Sequence, residues 1–216
     1  MIQGQAYSFT PNPGYILYQA SDLELASLRQ EVEQIALNQG QGFQSAQSVL
    51  VGSIEHEYHL TASRNDVFNL VLPLAHQYVC EFNYQSKIDR LGIRDRGQPL
   101  ELGLGGLWVN YQQRGEFNPV HQHDGLFSFV IWLQIPYTIS LEQRLAPGQG
   151  KQTSSGDFHF HYTDTLGAIR THMMQIDQAS RNTICLFPAE LHHVVYPYYS
   201  TQDLRISVSG NLHLAL

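Results

Sequence analysis

FSFVIWLQIP, residues 127–136, is the strongest β-strand signal in this chain of 216 residues. Aromatic and β-branched side chains fill it, and a proline closes it. Further strand patterns lie at residues 107–111, 158–162, 183–187 and 204–214. A series of short strands predicts an antiparallel β sandwich or a jelly roll in this part of the chain.

The N-terminal half predicts mainly helices. Ser21 and Asp22 are typical N-cap residues, and the apolar residues between them and Gly40 have helical spacing. A second helix is predicted from Asn65 to about Gln85. Pro73 lies inside it and must either kink that helix or mark its first turn.

The stretches between these elements give weaker signals. Residues 16–18 predict a short strand, and residues 41–63 favour no element. Gly103 to Gly106 predicts a flexible hinge ahead of the strands, and the Gln-, Gly- and Ser-rich residues 140–156 predict a loop.

The order of the elements, helices first and then strands, indicates a single domain over residues 1–216. We expect a mainly β, α+β fold, in which residues 1–99 form a helical support region. Residues 100–216 form the β core and carry the functional site.

Composition argues against several function classes. The formal net charge is -7 and no Lys/Arg run occurs, which argues against nucleic acid as a partner. No stretch approaches 18 consecutive apolar residues, and the N-terminus lacks the pattern of a signal peptide, so we expect no membrane association. Cys80 and Cys185 lie in apolar stretches, which predicts small buried side chains in a reducing, cytoplasmic compartment. The oligomeric state is not indicated.

Two histidines one residue apart, His121 and His123, form the strongest functional signal. Residues i and i+2 of a strand share a face, so both imidazoles can reach one metal ion. His193 would complete a site with three protein ligands, which leaves open the coordination positions that a catalytic metal needs.

A second His-x-His pair, His159 and His161, lies in the middle of a predicted strand. Its partners on the other face are aromatic, so we interpret this pair as a solvated or cleft-lining face. It is the reserve candidate for the metal site.

Arg205 and Ser207 share one face of the last predicted strand. An arginine on an apolar strand usually has a carboxylate partner. That partner is either an acidic residue of the chain or an acidic ligand held by the guanidinium fork and the Ser207 hydroxyl.

Taken together, these motifs resemble the 2-oxoglutarate- and Fe(II)-dependent oxygenases, in the prolyl-4-hydroxylase-like branch. Similar sequences are the oxygenases of marine bacteria and cyanophages. The resemblance covers residues 100–214 and is carried by four motifs: Trp108 to Gln112, Glu116 to His123, Phe187 to Pro197, and Arg205 to Ser207.

The resemblance implies a double-stranded β-helix (jelly-roll) core that binds Fe(II) and the cosubstrate 2-oxoglutarate. His121 and His193 would be iron ligands, with His192 as the alternative to His193. Arg205, helped by Ser207, would bind the distal carboxylate of 2-oxoglutarate, and Tyr111 would also hydrogen-bond the cosubstrate.

The superfamily usually has His-x-Asp where this chain has His121-Gln122-His123. On a regular strand Asp124 faces away from His121, so strand geometry favours His123 as the third ligand. Gly125 could permit a turn that reverses this preference.

The implied activity is hydroxylation of an unidentified peptide or small molecule, with release of succinate and CO₂. One alternative is a cupin-type dioxygenase or isomerase that needs no 2-oxoglutarate, against which the pair Arg205 and Ser207 argues. Another is a metal-stabilised binding module without turnover. Four aromatic residues are candidates for the cavity lining or for ordinary core: Phe127, Phe129, Trp132 and Phe187.

Overall fold

The computed structural model describes residues 2–7, 14–90, 100–145 and 153–215. Within these segments the helices are Ala26–Leu37 (α1), Arg64–Glu81 (α2), Gln85–Arg90 (α3) and Ile139–Leu145 (α4). The strands of the first half are Gln5–Tyr7 (β1), Tyr15–Gln19 (β2) and Glu57–His59 (β3). The strands of the second half are Leu102–Gln112 (β4), Asn118–His121 (β5), Phe127–Gln134 (β6), Phe158–Thr163 (β7), Ile169–Met174 (β8), Thr183–Pro188 (β9), His192–Val195 (β10) and Arg205–Leu214 (β11).

The strands form two antiparallel sheets. The large sheet has seven strands in the order β1-β2-β9-β6-β11-β4-β3, and the small sheet has four in the order β5-β10-β7-β8. From β4 onward the chain crosses repeatedly between the two sheets: β5, β7, β8 and β10 lie in the small sheet, and the others lie in the large one.

Both faces of the large sheet are covered. On one face it packs against α1, α2 and α3 through an apolar core that includes Leu28, Leu70, Ile131 and Leu186. On the other face it packs against the small sheet through a second core, which includes Trp132, Phe158, Phe160 and Phe187. The molecule therefore has three layers: helices, large sheet and small sheet.

The expected mainly β architecture with antiparallel sheets and N-terminal helices is confirmed. The strands predicted at 16–18, 107–111, 127–136, 158–162, 183–187 and 204–214 are all present. The structure adds strands that the sequence patterns did not show: β1, β3, β5, β8 and β10.

The predicted hinge at Gly103 to Gly106 is wrong, because these residues are part of β4 and pair with β11. Glycine allows close approach there, since a Cβ on Gly105 would lie 2.3 Å from the His213 ring. The loop predicted at 140–156 is wrong at its start, where α4 extends to Leu145; residues 146–152 lie outside the described part of the chain.

The predicted helices need smaller corrections. α1 begins at Ala26, although Ser21 does form a reciprocal capping interaction with Glu24 ahead of it. Pro73 lies in the middle of α2 and does not mark its first turn. Cys185 is buried as expected, but Cys80 is exposed, because it lies on the outward face of α2.

None of the helices in the described segments has the length and apolarity that a membrane span requires.

Candidate metal centre

His121 and His193 face each other across two paired strands. β5 and β10 are antiparallel neighbours, and these two residues are registered partners. Their ring centroids lie 4.2 Å apart. The pairing of two strands far apart in sequence therefore places the first and the last of the predicted ligands at one point.

His123 lies just beyond β5 and completes the group. Its backbone N–H donates to the carbonyl of Ala189 at 2.9 Å, which fixes this turn beside the end of β9. Its ring centroid lies 4.9 Å from that of His121 and 5.2 Å from that of His193. The three histidines offer nitrogen atoms that all lie within 4.8 Å of one another.

The ring orientations of His121 and His193 fit metal binding. Nδ1 of His121 lies 2.7 Å from the Pro119 carbonyl, and Nδ1 of His193 lies 3.0 Å from the Leu191 carbonyl. A carbonyl oxygen only accepts, so each Nδ1 carries the hydrogen and each Nε2 keeps a free lone pair. A backbone carbonyl on the far nitrogen is the usual support of a metal-bound imidazole.

Burial keeps the three imidazoles neutral, which is the form that binds a metal. Burial lowers the pKa of His123 to about 4, with a contribution from the nearby His121. Burial also lowers the pKa of His121 and holds that of His193 well below its usual range.

The three histidines line a cavity between the two sheets. The space between these side chains, open solvent at the mouth included, is about 630 Å³, of which about 40 Å³ is wide enough to take the centre of a water molecule. Its apolar wall includes Val130, Trp132, Phe158 and Phe187. Phe129 also lines it, whereas Phe127 lies in the core beneath the helices.

Arg205 lines the same cavity from β11 and is only 2% exposed. Its Nε and Nη2 both donate to Oε1 of Gln112, at 2.9 and 2.6 Å. Its Nη1 donates to the Tyr137 hydroxyl and the Gly156 carbonyl, and its Nη2 also donates to the Tyr196 carbonyl.

All of these acceptors are neutral, and no described acidic residue forms an ion pair with Arg205. The sequence left two partners open for Arg205, an acidic residue of the chain or an acidic ligand. The described residues do not provide the first of these. A buried guanidinium without a carboxylate partner favours an anionic ligand. Ser207 follows on the same face, lines the cavity, and accepts a hydrogen bond from Asn110 Nδ2 at 3.3 Å.

Tyr111 lies on the other face of β4. Its hydroxyl donates to the Val32 carbonyl of α1, and its ring belongs to the core between the large sheet and the helices. It does not line the cavity. The expectation that Tyr111 binds the cosubstrate needs correction, because the strand presents this side chain to the helices.

The remaining sequence candidates lie outside the cluster. Asp124 and His192 are exposed, and neither joins the three histidines. Of the pair interpreted as a solvated or cleft-lining face, His159 is only 2% exposed, with its Nε2 3.1 Å from Asp157 Oδ2, whereas His161 lines a surface groove. Among the described residues, His159 and His161 do not form a metal-binding group.

Sequence reasoning did not single out several polar residues that line the cavity, among them Glu57, Asn110 and Gln112. Asn110 and Gln112 follow Trp108 at intervals of two, and this spacing is the signal that could have placed them on one face. Glu57 lies in the stretch for which no element was predicted, and nothing in the sequence marks it.

Comparisons with known proteins agree with this site. Residues 106–211 match the family described as "Putative 2OG-Fe(II) oxygenase". A search of curated proteins found no match.

Among solved structures, the chain is similar to a prolyl-4-hydroxylase from Pseudomonas putida, with a TM-score of 0.50 and 11% identity over 94% of this chain and 93% of that one. It is also similar to a viral collagen prolyl hydroxylase from Paramecium Bursaria Chlorella virus-1, solved as a 2OG complex, with a TM-score of 0.48 and 11% identity over 93% of this chain and 96% of that one. The likeness to the Pseudomonas putida enzyme shows a shared fold. Residues 106–211, just under half of the chain, thus match a family of oxygenases whose cofactors are Fe(II) and 2-oxoglutarate, and the chain shares its fold with a prolyl-4-hydroxylase.

Proposed function

We propose that the protein is an Fe(II)- and 2-oxoglutarate-dependent hydroxylase of a small molecule or a peptide. One observation carries the proposal: three neutral imidazoles and a buried arginine without an acidic partner line the same cavity. Residues 106–211, which match the oxygenase family, contain all four of these residues.

His121, His123 and His193 would hold Fe(II). Three neutral ligands leave the full charge of the ion uncompensated by the protein, which favours a dianionic cosubstrate beside it. Arg205 would bind the distal carboxylate of 2-oxoglutarate, and the Ser207 hydroxyl would donate to the same group. Both residues line the cavity, as this role requires.

Bound Fe(II) with 2-oxoglutarate and O₂ would supply the oxidising power that converts a substrate C–H group into C–OH, with succinate and CO₂ as the other products. The residues of the chain would orient the two organic substrates and exclude water. Trp132, Phe158 and Phe187 suit this second task, because they form an apolar wall beside the histidines.

We also propose that the β core is a double-stranded β-helix. The support is the path of the chain, which passes from the large sheet to the small sheet and back three times between β4 and β11. Such alternation is how a jelly roll winds around its interior. The cavity lies between the two sheets, where the interior of such a core would be.

The test is succinate formation by the full chain with Fe(II), ascorbate, O₂ and 2-oxoglutarate, followed by ¹H NMR. We expect slow succinate release without a primary substrate and none from Arg205→Ala. The matched control is Arg170→Ala, an exposed arginine on β8 paired with Asp164. Tight metal binding without succinate release or measurable binding of 2-oxoglutarate would refute the proposal and favour a cupin-type enzyme or a binding module.

A further inference from the structure

Glu57 is a buried acid with no evident structural task. It lies on β3, the edge strand of the large sheet, and is only 4% exposed. No described group donates a hydrogen bond to its Oε1. Burial, with a smaller contribution from the charge of Glu116, raises the pKa of Glu57 to about 7. A carboxylate held in this way destabilises the fold unless it meets a ligand.

Two other buried acids show the contrast. Glu31, which is 5% exposed, accepts hydrogen bonds from three consecutive backbone N–H groups and a hydroxyl. Glu142, which is fully buried, accepts from the backbone of Tyr199 and Ser200 and from the Ser155 hydroxyl. Glu31 and Glu142 are thus supplied with donors on both carboxylate oxygens, and Glu57 is not.

Asn110, which lies beside Glu57, also has a buried acceptor atom without a donor. It is the registered partner of Glu57 on β4 and is also 4% exposed. Its Nδ2 faces Ser207, at 3.3 Å from the hydroxyl, while its Oδ1 is buried without a donor among the described residues. Two adjacent strands therefore each present an unsatisfied acceptor, and both side chains line the cavity of the histidines.

The chemistry of these acceptors selects the ligand. In the described part of the chain, the charged residues that line the cavity apart from the histidines are Glu57 and Arg205. An anion is attracted to Arg205 and repelled by Glu57, so the cosubstrate does not satisfy the acid. A hard metal ion needs about six oxygen ligands, and two are offered here. A protonated amine supplies both a positive charge and several N–H donors.

We propose that Glu57 and Asn110 form a subsite for a protonated amino group of the primary substrate. This inference rests on the proposed function, and it narrows the substrate class to amines, including amino acids and peptides that present such a group. Arg205 and Glu57 would then divide the cavity between the two organic substrates, with the anionic cosubstrate at one and the cationic group at the other.

Binding can be measured without metal or turnover. Trp108 and Trp132 are the two tryptophans of the chain, and both line the cavity, so intrinsic fluorescence of the metal-free full chain reports on it. The probes are n-alkylamines from propyl to hexyl, each compared with the n-alkanol of equal length. We expect a saturable change with amines that the alkanols do not give.

Two variants locate the effect. Glu57→Gln removes the charge and should weaken amine binding by about 10-fold or more, as expected for a hydrogen bond to a charged group. Glu55→Gln is the matched control, since Glu55 is an exposed acid two residues away, and it should bind as wild type does. Equal responses to amines and alkanols, or unchanged amine binding by Glu57→Gln, would overturn the subsite.

Turnover separates this inference from the proposed function. Amine binding that depends on Glu57, in a protein that neither forms succinate nor binds 2-oxoglutarate, would support the subsite and refute the oxygenase. Succinate release by a protein that does not bind amines would support the oxygenase and refute the subsite.

Discussion

His123 and Asp124 are neighbours in sequence with opposite environments. The His123 ring lies among the other two imidazoles and beside Trp108, with ring centroids 5.6 Å apart. Asp124 is exposed, at a bend that Gly125 continues with a φ of 101°. The turn at Gly125 therefore does not bring Asp124 into the cluster, and the histidine is the third candidate ligand.

We predict that His123→Ala weakens binding of a divalent metal by at least about 100-fold. Losing only a hydrogen-bond partner of a metal ligand already lowers metal affinity by about 10–100-fold, and losing the ligand itself should lower it at least as much. Asp124→Asn should leave metal binding nearly intact. Isothermal titration with Mn²⁺ or Zn²⁺ measures both variants. Loss of binding in Asp124→Asn, with His123→Ala unaffected, would reverse the assignment.

Gln112 occupies the edge of Arg205 that would bind a carboxylate. Its Oε1 accepts from both Nε and Nη2, the pair of donors that forms the bidentate contact with carboxylates. 2-Oxoglutarate must displace this amide or share the donors with it. In Gln112→Ala the amide no longer competes for the Arg205 donors, and a net hydrogen bond contributes about 1 kcal/mol. The variant should therefore bind the cosubstrate about 5-fold more tightly.

Arg205→Ala should weaken the same binding by about 30-fold or more, from roughly 2–5 kcal/mol for a lost buried charge partner. Titration of 2-oxoglutarate into the Mn²⁺-loaded protein tests both changes, with the exposed Gln113→Ala as control. Weaker binding by Gln112→Ala would mean that the amide itself contacts the cosubstrate.

The raised pKa of Glu57 also predicts how the free energy of unfolding depends on pH, independently of any ligand. Its pKa is about 7 in the folded protein against an ordinary value of 4.5. Below pH 4.5 the Glu57 carboxyl is neutral in both the folded and the unfolded state, so it does not lower the free energy of unfolding. Between pH 4.5 and 7 the unfolded chain ionises this carboxyl while the folded protein keeps it protonated, so the folded state has lost about 3 kcal/mol relative to the unfolded state once the pH passes 7.

Glu57→Gln stays neutral at every pH and should escape this loss. Urea unfolding should show the variant about as stable as wild type near pH 4.5 and clearly more stable at pH 8. A difference that is constant over this range would show that Glu57 does not titrate in the folded protein as described.

The residues of the site divide into those that sequence could identify and those that it could not. The histidines and Arg205 were identifiable, because their chemistry is unusual at strand positions. The face of Tyr111 was readable as well, because Asn110 and Gln112 alternate with Val109 and Tyr111 along β4 and mark the opposite face. Glu57 was not identifiable, because it lies in a stretch whose sequence predicted no element.

At the scale of elements, the sequence identified the strands with long apolar or alternating runs and missed the short ones. β3, β5 and β10 have three or four residues each and owe their pairing to distant partners. The start of α2 was equally hidden from the sequence, because the acid that holds the turn ahead of this helix comes from α1. Glu31 accepts from the N–H groups of Thr61, Ala62 and Ser63, just before the first residue of α2.

This contact makes Glu31 a connection between two helices. Burial raises the pKa of its carboxyl, but the hydrogen bonds from Ser63, Thr61 and Ala62 outweigh burial and lower it. The stabilisation is therefore present above the ordinary value of 4.5 and is lost as the pH falls below it. Glu31→Gln removes the charge and turns an amide NH₂ toward the donors of one carboxylate oxygen, so it should cost about 2–4 kcal/mol at pH 7.

The matched control is Glu33→Gln, an exposed position on the same helix. Urea unfolding at pH 7 and at pH 4 measures both variants. Equal stability of the two at pH 7 would show that the carboxylate does not hold the start of α2.

At the scale of the whole molecule, the two halves of the chain share one core. β2 pairs with β9, and β3 pairs with β4, so the N-terminal half contributes strands to the large sheet. Ile131, Ile184 and Leu186 lie on the face of this sheet that the helices cover. We propose that the protein is a single domain, in which the helical region is structurally inseparable from the β core.

Residues 100–216 alone should therefore not fold. The fragment keeps the three histidines, Arg205 and both tryptophans, but it loses β1, β2 and β3 and leaves the apolar face of the large sheet open to water. Exposed patches of this size lead to aggregation or a molten state. We expect the fragment to bind 8-anilinonaphthalene-1-sulfonate and to lack the near-UV circular dichroism of the full chain.

The full chain should lose its far-UV and near-UV signals in one coincident urea transition, as one cooperative unit does. A fragment that unfolds cooperatively and still binds a divalent metal as the full chain does would show two independent units, and the helices would then be an appendage to the site.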